Sequence, residues 1–340
     1  MTEAADIALV SLGTTPGLVH SDESFAALVR AAGASCSVVP VRVGRVAGGL
    51  RRHAAVTDLV EALAARRAAS GVRARAVVFS TITAALLARE PDVPYAIRFD
   101  ATASLNRHGW GGAWQRRVER GRLRGARVLV PVSRGAEAAV REGPGSVVRV
   151  PIPIERIDGA SERDIDAVAY AGYPRKRGLE VLCLAWAAAG PRGGRFVIGG
   201  LDRDKGRRWL DRCGVDEPAG VEWAGELPRA KWLDRVGRAR VYVNASVWED
   251  YGLAPLEALS AGTPLVTVPT PGSFEALPLA RELAPELVSK DLTAALRAGL
   301  AMTHSARAYY AERATELLEP YREERVLELV RDRVLPGLLP

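Results

Sequence analysis

The stretch SVWEDYGLAPLEALSAG, Ser246–Gly262, decides how the chain is read. Two glutamates, Glu249 and Glu257, stand eight positions apart, with Tyr251-Gly252 and Pro255 between them. Proline is favoured at the first helical position and glycine just past the last, so the pattern predicts a helix over Pro255–Ala261 stopped by Gly262. The cap then falls on Ala254, which has no side-chain acceptor, and the first N–H groups of the helix stay unsatisfied. Gly252 carries no side chain and lets the amides of Tyr251–Leu253 come close. Free amides at the positive end of a helix form an anion site, and phosphate is the obvious guest. Glu257, placed in the first turn, reads either as a charge that complements the dipole or as an acceptor for hydroxyls. Glu249 reads either as a solvated strand-end charge or as a second acceptor. A carboxylate repels phosphate but accepts hydroxyl protons well, so the pair suits a ligand with hydroxyls on both sides of a phosphate, such as a nucleotide-sugar.

Outward from this stretch the chain alternates short apolar runs with helical periods, the pattern of an α/β protein with parallel sheets. The first half offers strands at Ile7–Leu12, Cys36–Val43, Val77–Ser80, Tyr95–Phe99 and Val128–Val132. A loop GTTPG, Gly13–Gly17, follows the first strand, and Ser21 or Asp22 is the expected cap of the next helix. A helix from Arg51 to about Ala69 should bury Val56, Leu59, Val60 and Leu63, and an arginine-rich helix runs from Trp114 to about Arg124. Two prolines in the extended segment VVRVPIPIERI, Val147–Ile157, suit a domain connection. The alternation restarts with strands at Val168–Ala171, Arg195–Ile198, Val221–Trp223, Val241–Asn244 and Leu265–Val268. Two Rossmann-like domains follow, 1–150 and 151–304, with ligands in a cleft at the C-terminal ends of the strands. A helical tail, 305–340, broken at Pro320, could cross back to the first domain.

Composition narrows the class. The 340 residues are too many for one ordinary core and enough for two. No run of about 18 apolar residues occurs, so no membrane-spanning helix is expected, and the start MTEAADIALVSLG lacks the basic cluster of a secretory signal. Cys36, Cys183 and Cys213 lie far apart without nearby histidines and read as small buried hydrophobes in a reducing cytoplasm, and no metal site is expected. The net charge of +7 is uneven: residues 1–150 carry 21 basic and 12 acidic side chains, and all 21 are arginine. Arg116, Arg117, Arg120, Arg122, Arg124 and Arg127 form one cluster, and Arg42, Arg45, Arg51 and Arg52 another. A basic first half faces something acidic, such as a membrane surface or an acidic acceptor. Interleaved aromatics and nucleic-acid motifs are missing, which argues against nucleic acid as the partner.

The segment EDYGLAPLEALSAGTPLV, Glu249–Val266, with its E-x7-E spacing, strongly resembles the donor-binding segment of glycosyltransferase family 4, retaining enzymes of the GT-B fold. AYAGYPRKRGLEVL (Ala169–Leu182) resembles the family's diphosphate-gripping loop. RFVIGG (Arg195–Gly200) and VEWAGELP (Val221–Pro228) resemble its base-binding strands, VLVPVS (Val128–Ser133) its hinge, and GTTPG its first glycine loop. The resemblance implies that Glu257 accepts from the ribose hydroxyls and Glu249 contacts the donor sugar. It implies that the amides of Tyr251, Gly252 and Leu253 hold the sugar or its phosphate. Arg175, Lys176 and Arg177 would neutralise the diphosphate, and Gly13 would let the first domain approach it. Lys176 is the first choice of cation and Arg175 the second. The pattern departs in two places: Tyr173 stands where the family carries arginine, and Asp100 stands where many relatives carry histidine, with His108 farther on. Asp100 would accept the acceptor's proton or position its hydroxyl. His20, His53 and His304 read as incidental.

The implied reaction moves a hexose from a nucleotide-diphosphate sugar to an acceptor hydroxyl with retention, without metal or cofactor. Glu249, Asp100 and Lys176 are the candidates at the reacting centre. The acceptor is expected to be acidic, lipid-linked or carbohydrate, and the place of action cytoplasmic, on the inner face of a membrane. The alternatives are a GT-B epimerase, a phosphorylase, which the lack of a pyridoxal-phosphate lysine segment disfavours, and a basic nucleic-acid binder.

Overall fold

A computed structural model describes residues 4–43, 54–89, 91–107, 112–140, 145–157, 159 and 162–339. Two compact units emerge, residues 1–153 with 323–340, and residues 154–322.

The first unit is built on six parallel strands among the described residues: β1 (Ala5–Ser11), β2 (Cys36–Pro40), β3 (Ala74–Phe79), β4 (Tyr95–Phe99), β5 (Val128–Pro131) and β6 (Ser146–Val147), in the order β2-β1-β3-β4-β5-β6. Strands of such a sheet are covered on both faces, which is why they read as unbroken apolar runs. Ile7 and Leu9 of β1 face one core with Phe25 and Val78, whereas Val10 faces the other with Phe79 and Ile97. The alternation is the two-residue period of a strand. The first core is completed by Val326, Val330, Val334 and Leu338, from helices Glu323–Leu329 and Leu335–Leu338 and the π-helical turn between them. The tail therefore changes unit at Arg322–Glu323, later than the 305 boundary read from the sequence. Pro320 lies in the 3-10 turn Glu319–Tyr321 that follows helix His304–Leu317.

Three local expectations are corrected. The first helix spans Pro16–Ala31 and is capped by Thr15, whose hydroxyl accepts the Leu18 N–H at 3.3 Å. Ser21 and Asp22 are interior and buried. Helix Ala54–Ala69 buries Asp58, Glu61, Ala62 and Ala65 and leaves Leu59 and Leu63 exposed. Its alanines pack against helix Ile82–Leu86, and Asp58 is satisfied by Arg107 at 2.7 Å and Gln115 at 2.5 Å. The expected helical start at Arg51 lies outside the described residues. Of the cysteines, all unpaired, only Cys183 is buried; Cys213 ends the helix Arg203–Cys213 on its exposed side.

The second unit holds β7 (Ile165–Tyr170), β8 (Phe196–Gly199), β9 (Val221–Gly225), β10 (Ala239–Asn244) and β11 (Leu265–Thr267), parallel and ordered β11-β10-β7-β8-β9. The direction of winding reverses between β7 and β10. A reversal parts the loops that leave the two strands and opens a crevice at their C-terminal ends. In the first unit the same reversal falls between β1 and β3.

Candidate functional site

Three loops of the second unit converge beyond β7, β10 and β11. The loop after β7 runs into the short helix Pro174–Arg177, and Gly178 closes it with φ +60°. A side chain on Gly178 would overlap the Ala245 carbonyl oxygen, so glycine is required both by conformation and by space. The Val247 N–H donates to the Lys176 carbonyl at 2.9 Å and fixes the two loops together. From the third loop, Pro271 accepts the Glu249 N–H at 3.1 Å, and Tyr251 accepts the Glu275 N–H at 3.0 Å.

The helix after β10 spans Leu253–Ser260, two residues earlier than the sequence suggested. The cap is Gly252, with φ +85°, and not Ala254; a Cβ there would lie 2.6 Å from the Phe274 ring. Pro255 is the third helical residue. Gly252 offers no side-chain acceptor, and by helix geometry the Leu253 and Ala254 amides have no intrahelical partner. The amide-lined helix start is thus present with its origin moved to Gly252. Glu257 consequently sits beyond the first turn, which removes the reading of it as a dipole-complementing charge. Tyr251 is buried, and Leu253 partly exposed.

The charges pair off across these loops. Glu249 and Glu257 are buried, at 4% and 3% exposure. Glu249 binds Arg177, which also donates to Ser246 Oγ at 3.2 Å and lies over the Tyr170 ring. Glu257 binds Arg229, at the start of helix Arg229–Gly237, and Arg229 also lies 3.7 Å from Glu155. Burial pushes the Glu257 carboxyl up from its ordinary value, and Arg229 opposes the shift. Lys176 Nζ donates to Asp250 at 3.0 Å, and Asp250 also accepts from the Trp248 indole at 2.7 Å. Arg175 is exposed, with no acceptor among the described residues. Of the three candidate cations, Arg177 and Lys176 therefore enter the site through carboxylate partners. Sequence reading missed Asp250, although it adjoins Glu249, and it missed Arg229 and Glu155, which no local pattern ties to Glu257.

In the first unit, Gly13 follows β1 with φ +49°, and Asp100 follows β4 and is partly exposed. Beside them lies a buried polar cluster that the sequence did not flag. Ser11 donates to Asp22 at 2.6 Å, Arg98 of β4 lies 3.6 Å from Asp22 and donates to Ser21 at 2.7 Å, and Ser80 accepts the Leu12 N–H at 3.1 Å. Burial raises the Asp22 carboxyl, with Arg98 opposing. Glu119 accepts the Ala103 N–H through both oxygens at 3.1 and 2.8 Å, and burial pushes its carboxyl up to about 7. His108 lies outside the described residues.

The basic cluster divides. Arg116 and Arg122 are turned inward onto backbone carbonyls, whereas Arg117, Arg120 and Arg124 are exposed at helical spacing on one face of Ala113–Gly125. Of the other cluster, Arg42 is exposed, and Arg45, Arg51 and Arg52 lie outside the described residues. Among the described residues no group of three His, Cys, Asp or Glu could hold a metal ion, and no helix is long and apolar enough to cross a membrane.

Residues 165–301 match the family model of glycosyl transferases group 1. Among solved structures, sucrose-phosphate synthase from Thermosynechococcus elongatus is similar at TM-score 0.69 and 17% identity, over 94% of this chain and 96% of that one. WaaG, a glycosyltransferase involved in lipopolysaccharide biosynthesis, is similar at 0.67 and 14%, over 95% and 99%. HepE of Anabaena, solved with UDP and glucose, is similar at 0.61 and 14%, over 97% and 99%. No curated protein sequence matches the chain. The fold is GT-B, two parallel-sheet α/β domains. The match to group 1 glycosyl transferases lies within the second unit, and the resemblance read from Glu249–Val266 is borne out at the level of that group.

Proposed function

We propose that the chain transfers a hexose from a nucleoside-diphosphate sugar to an acceptor hydroxyl, with retention of configuration and without a metal. The observation that carries this reading is the pairing at the β7–β10 reversal, where two buried glutamates and a cation-bearing loop surround a helix start that has no side-chain cap. Glu257 would accept from the ribose hydroxyls and Glu249 from the transferred sugar. Lys176, with Arg175 and Arg177, and the amides of Gly252 and Leu253 would hold the diphosphate. Charge grows on the leaving phosphate oxygen as the bond to the anomeric carbon breaks, and preorganised donors aimed at that oxygen lower the barrier. These cations and amides supply the charge compensation that a divalent ion gives elsewhere, which supports a metal-independent step. The acceptor oxygen bonds to the anomeric carbon on the departing face while the electron pair leaves with the diphosphate. The acceptor proton passes to the departing phosphate oxygen or to Asp100, and Gly13 leaves backbone room near the phosphate.

Arg117, Arg120 and Arg124 on one exposed helix face support an acidic or lipid-linked acceptor, and a cytoplasmic protein resting on an anionic inner leaflet. The test is a thermal-shift screen of nucleoside diphosphates and their sugars. A ligand that binds only the folded state raises its stability by about 2.7 kcal/mol at a hundredfold excess over Kd. One of them should stabilise the wild type and fail to stabilise Glu257→Ala; an unchanged shift in the variant refutes the assignment of Glu257.

A further inference from the structure

The Arg229–Glu257 pair is unusual for both partners. Arg229 is the first residue of its helix, capped only by Pro228 with no side-chain hydrogen bond. A cation at a helix start opposes the macrodipole, so local energetics do not favour arginine there. Its Nε is buried without a hydrogen-bond partner, a further local cost. Glu257, for its part, is buried, and burial raises its carboxyl above the ordinary value while Arg229 opposes that rise. Glu155 faces it from the segment entering the domain, with the same sign of charge, and Tyr242 faces it from β10. The packed strand β11 has no titratable side chain, and Tyr310 of the packed helix His304–Leu317 turns its phenol oxygen to the Leu265 N–H. Arg229 is thus the cation paired with Glu257 among the described residues.

The chemistry of a ribose diol makes this matter. Two neighbouring hydroxyls present two O–H donors, and a carboxylate can accept both. A protonated carboxyl has itself become a donor at one oxygen and loses half of that capacity. Arg229 binds Oε1 of Glu257 and leaves Oε2 without a protein partner in this pair. We propose that Arg229 is the positioning residue for donor recognition: it keeps Glu257 a carboxylate and fixes its rotamer, so that the free oxygen selects a nucleotide with an intact ribose diol. This rests on the reading of Glu257 given above and adds what makes that residue competent.

The test uses the full chain, titrated calorimetrically with UDP, GDP and ADP and with the 2′-deoxy counterpart of whichever binds best, at pH 6, 7.5 and 9. Wild type should prefer the ribonucleotide at every pH. Arg229→Met should lose at least tenfold in ribonucleotide affinity at pH 6, and the loss should shrink as the pH rises, because burial raises the Glu257 carboxyl and the variant no longer has Arg229 to oppose that shift. Its affinity for the deoxynucleotide should change little, and Arg229→Lys should restore the wild-type profile. An Arg229→Met variant that binds like wild type at all three pH values overturns the proposal. So does an equal, pH-independent loss for both nucleotides, which would mark a merely structural role. If wild type itself binds none of the three, the reading of Glu257 falls and this proposal falls with it.

Discussion

Glu119 gives the sharpest quantitative prediction. Its carboxyl is buried on helix Ala113–Gly125 and accepts the Ala103 N–H, three residues beyond Asp100. Burial raises it from the ordinary 4.5 to about 7, against the opposing hydrogen bond and the Arg107 charge. The sign follows from which state holds the proton. Below about pH 4.5 both folded and unfolded chains are protonated here, and the residue adds no pH dependence. Between 4.5 and 7 the unfolded chain releases its proton first, so stability falls as pH rises. Above about 7 both states are ionised and the whole destabilisation is present, about 3 kcal/mol from the size of the shift. Glu119→Gln keeps an oxygen for the Ala103 N–H and cannot ionise. Relative to wild type, the variant should therefore gain roughly 2–3 kcal/mol between pH 5 and pH 8. That is roughly 5–10 °C in the first domain's transition, at about 2–4 °C per kcal/mol. Scanning calorimetry of both proteins at the two pH values measures it, and every other titrating group cancels in the comparison. A difference between the proteins that is the same at pH 5 and pH 8 would refute the argument that Glu119 is held protonated by its burial.

Two further outcomes are expected. Gly178→Ala should destabilise the second domain by about 2 kcal/mol or more, because the left-handed backbone alone costs about 1–2 kcal/mol and the new methyl meets the Ala245 carbonyl. Gly193→Ala, also at positive φ but with open space around its Cα, should cost only the conformational part, and a denaturant series that ranks them the other way contradicts the packing argument. Lys176→Met should leave stability within about 1 kcal/mol, since its pair with Asp250 is part-exposed. If Lys176 stabilises the leaving diphosphate, sugar transfer should fall about a hundredfold or more, and turnover assays that show no loss would move that role to Arg175.

Much of the fold was written in local chemistry. Parallel strands buried on both faces must be apolar throughout, and helices between them must be amphipathic, so the alternation is legible without contacts. The misreadings have equally local causes. Thr15-Pro16 is itself a cap-and-first-turn signature, and treating it as loop displaced the cap onto Ser21 or Asp22. Pro255 reads as the first helical residue but is the third, because Gly252 at φ +85° starts the helix earlier and proline is tolerated anywhere in a first turn. Leu59 and Leu63 were expected inside, but the alanine face packs closer to its neighbour and Asp58 finds partners there.

What the sequence determined by itself was the parallel α/β class, the break near Val147–Ile157, and the spacing that puts two glutamates around a helix start. It determined these because strand period, helix punctuation and glycine placement act over a few residues. Only the tertiary structure decided which cation each carboxylate takes. Glu249 meets Arg177 from the loop after β7, and Glu257 meets Arg229 from a helix two elements earlier. Those pairings are fixed by the strand order β10-β7, which sets loops distant in the chain side by side, and by burial that makes an unpaired charge too costly to keep.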